Sequence, residues 1–297
     1  SIDLTNIEGT ITINSASTSS GTFNNDGLLH LNQPLTLTGT TLNDENGTIR
    51  NYSTLTNNSP GVITNKHDII NYFVGTINNN YIITNSKVGN IIGNLDNYGS
   101  FTNNETLTNN GTILVRTSGG NVGVFTNNKT ITNNNSFINE GDTIFTKTST
   151  TTNNSILENK ADLYNYGIVN NNLSMTNTIN TIHNYNLISN KVAGTLLNKA
   201  TFINKGQGYS NIHSVDTSNI IGYIDNSGVV TNETGTLTNK GQIQNSTDSS
   251  LLNNYSSLVN DSLLINLGIC KVFRNSSITN NEKIQNNLKF INYGTIT

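Results

Sequence analysis

The sequence predicts an all-β fold: a right-handed parallel β-helix (β-solenoid) with three short strands per coil and asparagine ladders at its corners. Three observations predict it. First, an apolar residue, a spacer that is most often Thr, and then Asn recur about every six residues. Second, matching units return at a longer interval of roughly twenty residues, as in Ile63, Ile83 and Phe101, or Ile224, Ile243 and Ile265. Third, Asn and Thr are used far above ordinary frequency, while only 33% of the chain is hydrophobic and 11% charged.

Each element of the unit has a physical reason. In a strand, residues two apart face the same side, so in Thr106-Leu107-Thr108-Asn109 the Leu and Asn point one way and the threonines the other. With Leu107 facing a core, the threonines meet solvent, where Thr suits a half-buried pleated surface. Asn109 then sits at the inner edge of a bend, because Asn tolerates left-handed backbone and bonds local backbone groups. Stacked at one corner of successive coils, such amides can also bond one another. Six residues make a strand plus a bend and are too few for a helix. One strand of this kind cannot bury its apolar face alone, so the segments must coil and stack. Three strands per coil fit the longer interval best, and two strands in about twelve residues are the alternative. A regular antiparallel sandwich fits worse.

Taken in order, residues 1–50 are the least regular, with alternation at Ile11-Thr-Ile13 and Leu29-His-Leu31 and a turn at Asn43-Asp-Glu-Asn-Gly. The repeat settles at Leu55-Thr-Asn57 and runs through Ile63, Ile77, Ile83, Ile92, Phe101, Leu107 and Ile113. Residues 116–123 and 206–222 read as loop insertions leaving a corner. Coils resume between and after them and continue through Phe290-Ile-Asn292 into Tyr293-Gly-Thr-Ile-Thr297. The expectation is one elongated domain over 1–297, of roughly fifteen coils. Its ladder is expected to comprise Asn57, Asn65, Asn103, Asn109, Asn127, Asn133, Asn139, Asn159, Asn165, Asn198, Asn204, Asn232, Asn239, Asn245, Asn280, Asn286 and Asn292.

Composition excludes several classes. A net charge of −3, with 15 scattered Lys and Arg, removes the electrostatic case for nucleic acid. No apolar run approaches the length of a membrane span. Cys270, the single cysteine, lies between Ile269 and Val272 and reads as a small buried hydrophobe. The 18 acids lie mostly singly; the closest groups, Asp44-Glu45 and Glu140/Asp142, sit at turns, which argues against a polysaccharide-cleaving enzyme. His30, His67, His183 and His213 match no metal-ligand spacing, and no cofactor is expected. The Thr-flanked strands raise ice binding, but Glu158, Tyr164, Gln244, Val259 and Lys289 interrupt the rows. The best place for a ligand is the long insertion with Tyr209, His213 and Asp216, since loops on rigid scaffolds carry function. Asn104, Asn110 and Asn128, each in an Asn-Xaa-Thr triplet just after a ladder Asn, are candidate glycosylation sites.

At Phe101-Thr-Asn-Asn-Glu-Thr-Leu-Thr-Asn-Asn-Gly-Thr-Ile and Gly235-Thr-Leu-Thr-Asn-Lys-Gly-Gln-Ile-Gln-Asn the chain resembles the Asn-rich repeats of bacterial filamentous-haemagglutinin-like and autotransporter adhesins. Similar Asn/Thr repeats occur in other microbial and giant-virus surface proteins. The resemblance covers about residues 50–297 and implies a right-handed parallel β-helix and an extracellular or cell- or virion-surface location. The expected function is a non-enzymatic structural subunit of a filament, fibre or sheath. Its expected partner is itself, head to tail, because the repeat runs to Thr297 without a capping segment. The alternative is an adhesin passenger domain with host-surface glycans or proteins as partners.

Overall fold

The computed structural model describes residues 4–118, 121–139, 150–153, 156–159, 163–165, 168–179, 181–184, 187–190, 195–199, 201–204, 223–227 and 229–297. Among these the regular elements are β-strands, most of them four residues long, and there is no helix. The chain folds into two compact units, Ser1–Ile138 with Ser149–Thr151, and Asn139–Thr148 with Thr152–Thr297. Each is a parallel β-solenoid.

In the first unit a coil consists of Thr54–Asn57, Val62–Asn65 and Asp68–Asn71. The next is Thr76–Asn79, Ile82–Asn85 and Asn94–Asn97, and the one after is Ser100–Asn103, Thr106–Asn109 and Thr112–Val115. Each strand pairs in parallel with its counterpart three strands away, so three strands per coil is the architecture. The second unit repeats this: Ile168–Asn171, Ser174–Asn177 and Thr181–Asn184 lie under Leu187–Asn190, Thr195–Asn198 and Thr201–Asn204.

The burial pattern along most strands alternates half-buried and buried, as the two-residue period requires. Three core rows fill the first unit: Leu35–Leu55–Ile77–Phe101–Phe125, Thr41–Ile63–Ile83–Leu107–Ile131 and Leu29–Ile49–Ile69–Leu95–Ile113. All of these side chains are buried. The Phe101 and Phe125 rings stack with centroids 4.7 Å apart, as identical core positions in adjacent coils must. Cys270 occupies the core row between Leu252 and Phe290. Burial pushes its thiol up to about 12, so it is a neutral core filler at physiological pH.

The register differs from the sequence expectation in particulars. Ile63 and Ile83 are consecutive members of one row, but Phe101 belongs to the neighbouring face, stacked on Ile77. Ile265 faces outward opposite Gln244, and Leu264 takes the core position after Ile243. Ile92 is not a core residue: Lys87–Val88 and Ile91–Ile92 form a small antiparallel hairpin across Gly89, whose φ is +61°. That insertion gives a separation of 24 residues between ladder partners there, against 20 in the coil before. Such enlarged coils explain why the chain makes about 12 turns rather than fifteen. Residues 116–123 carry a second hairpin, Thr117–Ser118 with Asn121–Val122. The irregular amino-terminal region has its own logic: Leu4–Ile13 and Phe23–Leu31 each run through a corner and pair along two faces, with a register shift between Ile7 and Thr10.

Corner glycines mark where one coil presses on the next. A Cβ on Gly111 would lie 2.1 Å from the carbonyl oxygen of Gly93 in the coil before, so no other residue fits without moving backbone.

Leu107 and Thr108 test the inside–outside assignment. Leu107→Asp loses about 1.5–3 kcal/mol of burial and places a carboxylate among apolar groups, so chemical denaturation should show a large loss of stability. Thr108→Ser should stay within about 0.5 kcal/mol of the parent. Equal tolerance of the two changes would contradict the assignment.

Candidate functional site

The feature built most deliberately is the column of inward asparagines ending each strand. In the first unit one column runs Asn6, Asn25, Asn43, Asn65, Asn85, Asn109 and Asn133, each Nδ2 donating to the next Oδ1 at 2.7–2.8 Å. A second runs Asn57, Asn79, Asn103 and Asn127, and a third Asn51, Asn71 and Asn97. The second unit holds Asn153–Asn171–Asn190–Asn226–Asn245–Asn266–Asn286. Beside it stand Asn159–Asn177–Asn198–Asn232–Asn254 and Asn139–Asn165–Asn184–Asn204–Asn239–Asn260–Asn280.

The columns have a direction. The Nδ2 of Asn109 also donates to the carbonyl of Ser136 at 2.9 Å, and most ladder amides make the matching bond to the strand that begins next in the following coil. Those main-chain acceptors fix which end of the amide is nitrogen. Every inner Nδ2 therefore points toward the following coil and every Oδ1 toward the preceding one. Two column starts differ: Leu31 precedes Asn51, whose Oδ1 accepts from the Ser53 N–H at 3.2 Å, whereas Leu37 precedes Asn57, whose Oδ1 is buried without a partner.

An outer ladder runs the other way. Asn128 donates to Asn104, Asn104 to Asn80 and Asn80 to Asn58, at 2.7–2.8 Å. Asn134 donates to Asn110 at 2.8 Å. Inner and outer amide dipoles thus lie side by side and opposed. Of the three candidate glycosylation sites, Asn104 and Asn110 are half-buried, whereas Asn128 is exposed.

Other predicted residues fall as follows. Asn292 stands opposite Val272 rather than an Asn, and its Oδ1 accepts from the Gly294 N–H. The columns also take in Asn6, Asn25, Asn43, Asn51, Asn71, Asn79, Asn85 and Asn97, among others, which the six-residue unit does not single out. A strict coil-to-coil alignment would have found them, because spacers such as Arg50 and Ile70 hid the unit. Asp44 is held by Lys66 at 2.9 Å, and His67 lies 3.5 Å from Asp68. Tyr209, His213, Asp216, Glu140 and Asp142 lie outside the described residues. Among the described residues no three His, Cys, Asp or Glu side chains gather to hold a metal.

The outer surface carries what the sequence reading did not align. Tyr52, Tyr72 and Tyr98 follow the ladder positions of three successive coils, and the register stacks them. Tyr52 and Tyr72 lie 4.1 Å apart and nearly parallel, Tyr72 and Tyr98 6.4 Å, and His30 tilts against Tyr52 at 4.8 Å. The Arg116 guanidinium sits 5.7 Å from the Tyr98 ring centre and 3.4 Å from the Asp96 carboxylate. Burial holds the Asp96 carboxyl above its usual range, against the opposing pull of Arg116. Beside this column Phe73 and Val74 are more than half exposed. A threonine row, Thr64, Thr84, Thr108 and Thr132, runs through successive coils of the first unit, but Leu42 precedes it and Val62 and Ile82 interrupt the row beside it. All five interruptions named from the sequence fall in the second unit.

No protein-family profile matches the chain, and no curated protein is significantly similar to it. Among solved structures, a hyper-glycosylated TibA fragment whose glycosylation TibC catalyses aligns over 99% of this chain and 100% of the fragment. The identity is 14% and the TM-score 0.27, a likeness from which nothing about this chain's role follows.

The ladder makes a paired prediction. Asn109→Ala removes the donor to the Asn133 amide oxygen and to the Ser136 carbonyl, while the Asn85 amide keeps its bonds to the Gly93 and Thr112 carbonyls; at about 1–3 kcal/mol for each acceptor left short, a loss of at least about 2 kcal/mol follows. Val272→Asn instead joins Asn254 to Asn292 and should cost less than about 1 kcal/mol despite burying an amide. Denaturant midpoints of the two variants check this. Equal losses would count against the ladder as the stabilising element.

Proposed function

We propose that the chain is a non-enzymatic structural protein of a cell or virion exterior, a β-solenoid subunit that lengthens into a filament, fibre or sheath by coil-on-coil stacking. The observation that carries this reading is the direction of the ladders. A coil offers main-chain donors and acceptors plus Asn Nδ2 on one side and Asn Oδ1 on the other, so any uncovered coil face is complementary to the opposite face of a second copy. Such a contact is head to tail and does not close, which yields an open fibre. Low charge and a surface of Thr and Asn suit the exterior and leave little electrostatic repulsion between copies. The sequence resemblance to surface repeat proteins supports the same location.

A second reading, adhesion, is favoured by the outer aromatic columns, in which Tyr255 and Tyr293 are exposed, since aromatic side chains and Arg dominate recognition surfaces. It is compatible with the first, because a stacked scaffold displays its outer columns many times over.

Electron microscopy and light scattering of the purified chain test the structural proposal. Fibres that lengthen with concentration, with an axial repeat of about 4.8 Å, are expected. A monodisperse monomer throughout the concentration range would overturn it.

A further inference from the structure

The second unit carries an outer corner column of its own. The register places Glu233, Tyr255, Phe273 and Tyr293 at the position after the ladder residue in four successive coils. Glu233 is neutralised by Lys199 at 3.3 Å. Tyr255 and Phe273 stack with centroids 3.8 Å apart and planes 13° from parallel, which closes that gap. Above Phe273 the stack opens: Tyr293 is 63% exposed, and its ring touches no other ring among the described residues. A cleft of about 440 Å³ lies there, lined by Tyr255, Phe273, Arg274 and Tyr293.

Arg274 is held at the cleft by a rigid turn. The Ser276 N–H donates to the Phe273 carbonyl at 3.2 Å, and Asn275 has a left-handed φ of 64°. The buried Ser276 hydroxyl is shared between the carbonyls of Asn254, at 2.9 Å, and Phe273, at 2.6 Å. The turn is therefore pinned to the coil below while its apex, Arg274, is exposed. Among the described residues Arg274 has no ion-pair or hydrogen-bond partner.

The first unit shows what this combination does when complete. There an arginine lies over the last ring of a tyrosine column and meets a carboxylate, in the Tyr98–Arg116–Asp96 group. The cleft of the second unit has the rings and the guanidinium and lacks the carboxylate. A carboxylate supplied from outside would complete it, and a guanidinium binds one with two parallel bonds. The rest of the ligand must present an apolar face to the rings and hydroxyls to the solvent around the exposed Tyr255 and Tyr293. A pyranose ring does both.

We propose that this cleft binds a carboxylated sugar residue of the uronic or sialic class, with the ring against Phe273 and Tyr293 and the carboxylate on Arg274. The proposal rests on the adhesive reading and supplies its ligand class. The volume is at the lower end of the roughly 300–1,000 Å³ of ligand pockets, as suits one sugar residue rather than a buried oligosaccharide.

The test is a glycan array followed by calorimetry on the whole chain. Probes are sialyllactose and oligoglucuronate, the same glycans with their carboxyls reduced to alcohols, and sulfated and phosphorylated counterparts. Carboxylated probes should bind, and reduction should weaken them at least about tenfold. Arg274→Gln should do the same while leaving the far-ultraviolet spectrum and melting temperature unchanged, and Arg274→Lys should fall between. Equal binding of reduced probes, an unaffected R274Q variant, or preference for sulfate or phosphate would each overturn the cleft assignment while leaving adhesion standing. Attachment to cells with no glycan bound would also overturn it, with adhesion then assigned to a protein partner. None of these results touches the structural proposal.

Discussion

A buried primary amide has two donors and an acceptor to satisfy, and here its partners are the same amide one turn away and a main-chain carbonyl of the coil that follows. That constraint governs the rest of the structure. It demands that Asn recur at the same corner, that strands pair in register and in parallel, and that coil spacing stay at the separation where Nδ2 meets Oδ1. The apolar rows obey the same register but do not impose it, since Leu, Ile, Phe, Cys and Met substitute for one another within a row. An inner Asn is far less replaceable, because its loss breaks bonds to both neighbouring amides and to a main-chain carbonyl at once. Val115 and Val272 show the tolerated exception, an apolar side chain that interrupts a column.

Satisfying the interior this way leaves the exterior free to vary. Outward positions carry Thr in one coil and Val, Ile, Asp or Lys in another without disturbing the columns. The same regularity turns any residue repeated just after the ladder into a surface stack. Tyrosines at three such positions become one aromatic column, and a turn inserted at another lifts an arginine beside a gap in a second. Function in such a chain is written in departures from the repeat, so the columns matter less for what they contain than for where they open.

Much of the fold is legible in the sequence because apolar residue, spacer and Asn report the two-residue period and the bend together. Leu107 and Asn109 illustrate it: both lie inside, and the threonines around them outside. What is not legible is coil length. Gly89 turns a hairpin that looks like one more strand, so Ile92 reads as core and Phe101 is aligned with the wrong face. The aromatic columns are hidden for the same reason. Unequal coil lengths separate Tyr52, Tyr72 and Tyr98, and only the true register shows that they meet. Arg274 carries no sequence signal beyond a turn-like neighbourhood, and its role follows from the lack of a carboxylate beside it, a matter of three dimensions.

The central claim, that asparagine amides bonded along the axis hold the coils together, is most directly tested by hydrogen exchange of the side-chain NH2 protons, followed by NMR. Inner asparagines such as Asn85 and Asn109 should exchange as slowly as the strand amides beside them, and outer ones such as Asn128 far faster. Fast exchange at the inner positions, with the strand backbone still protected, would contradict the account.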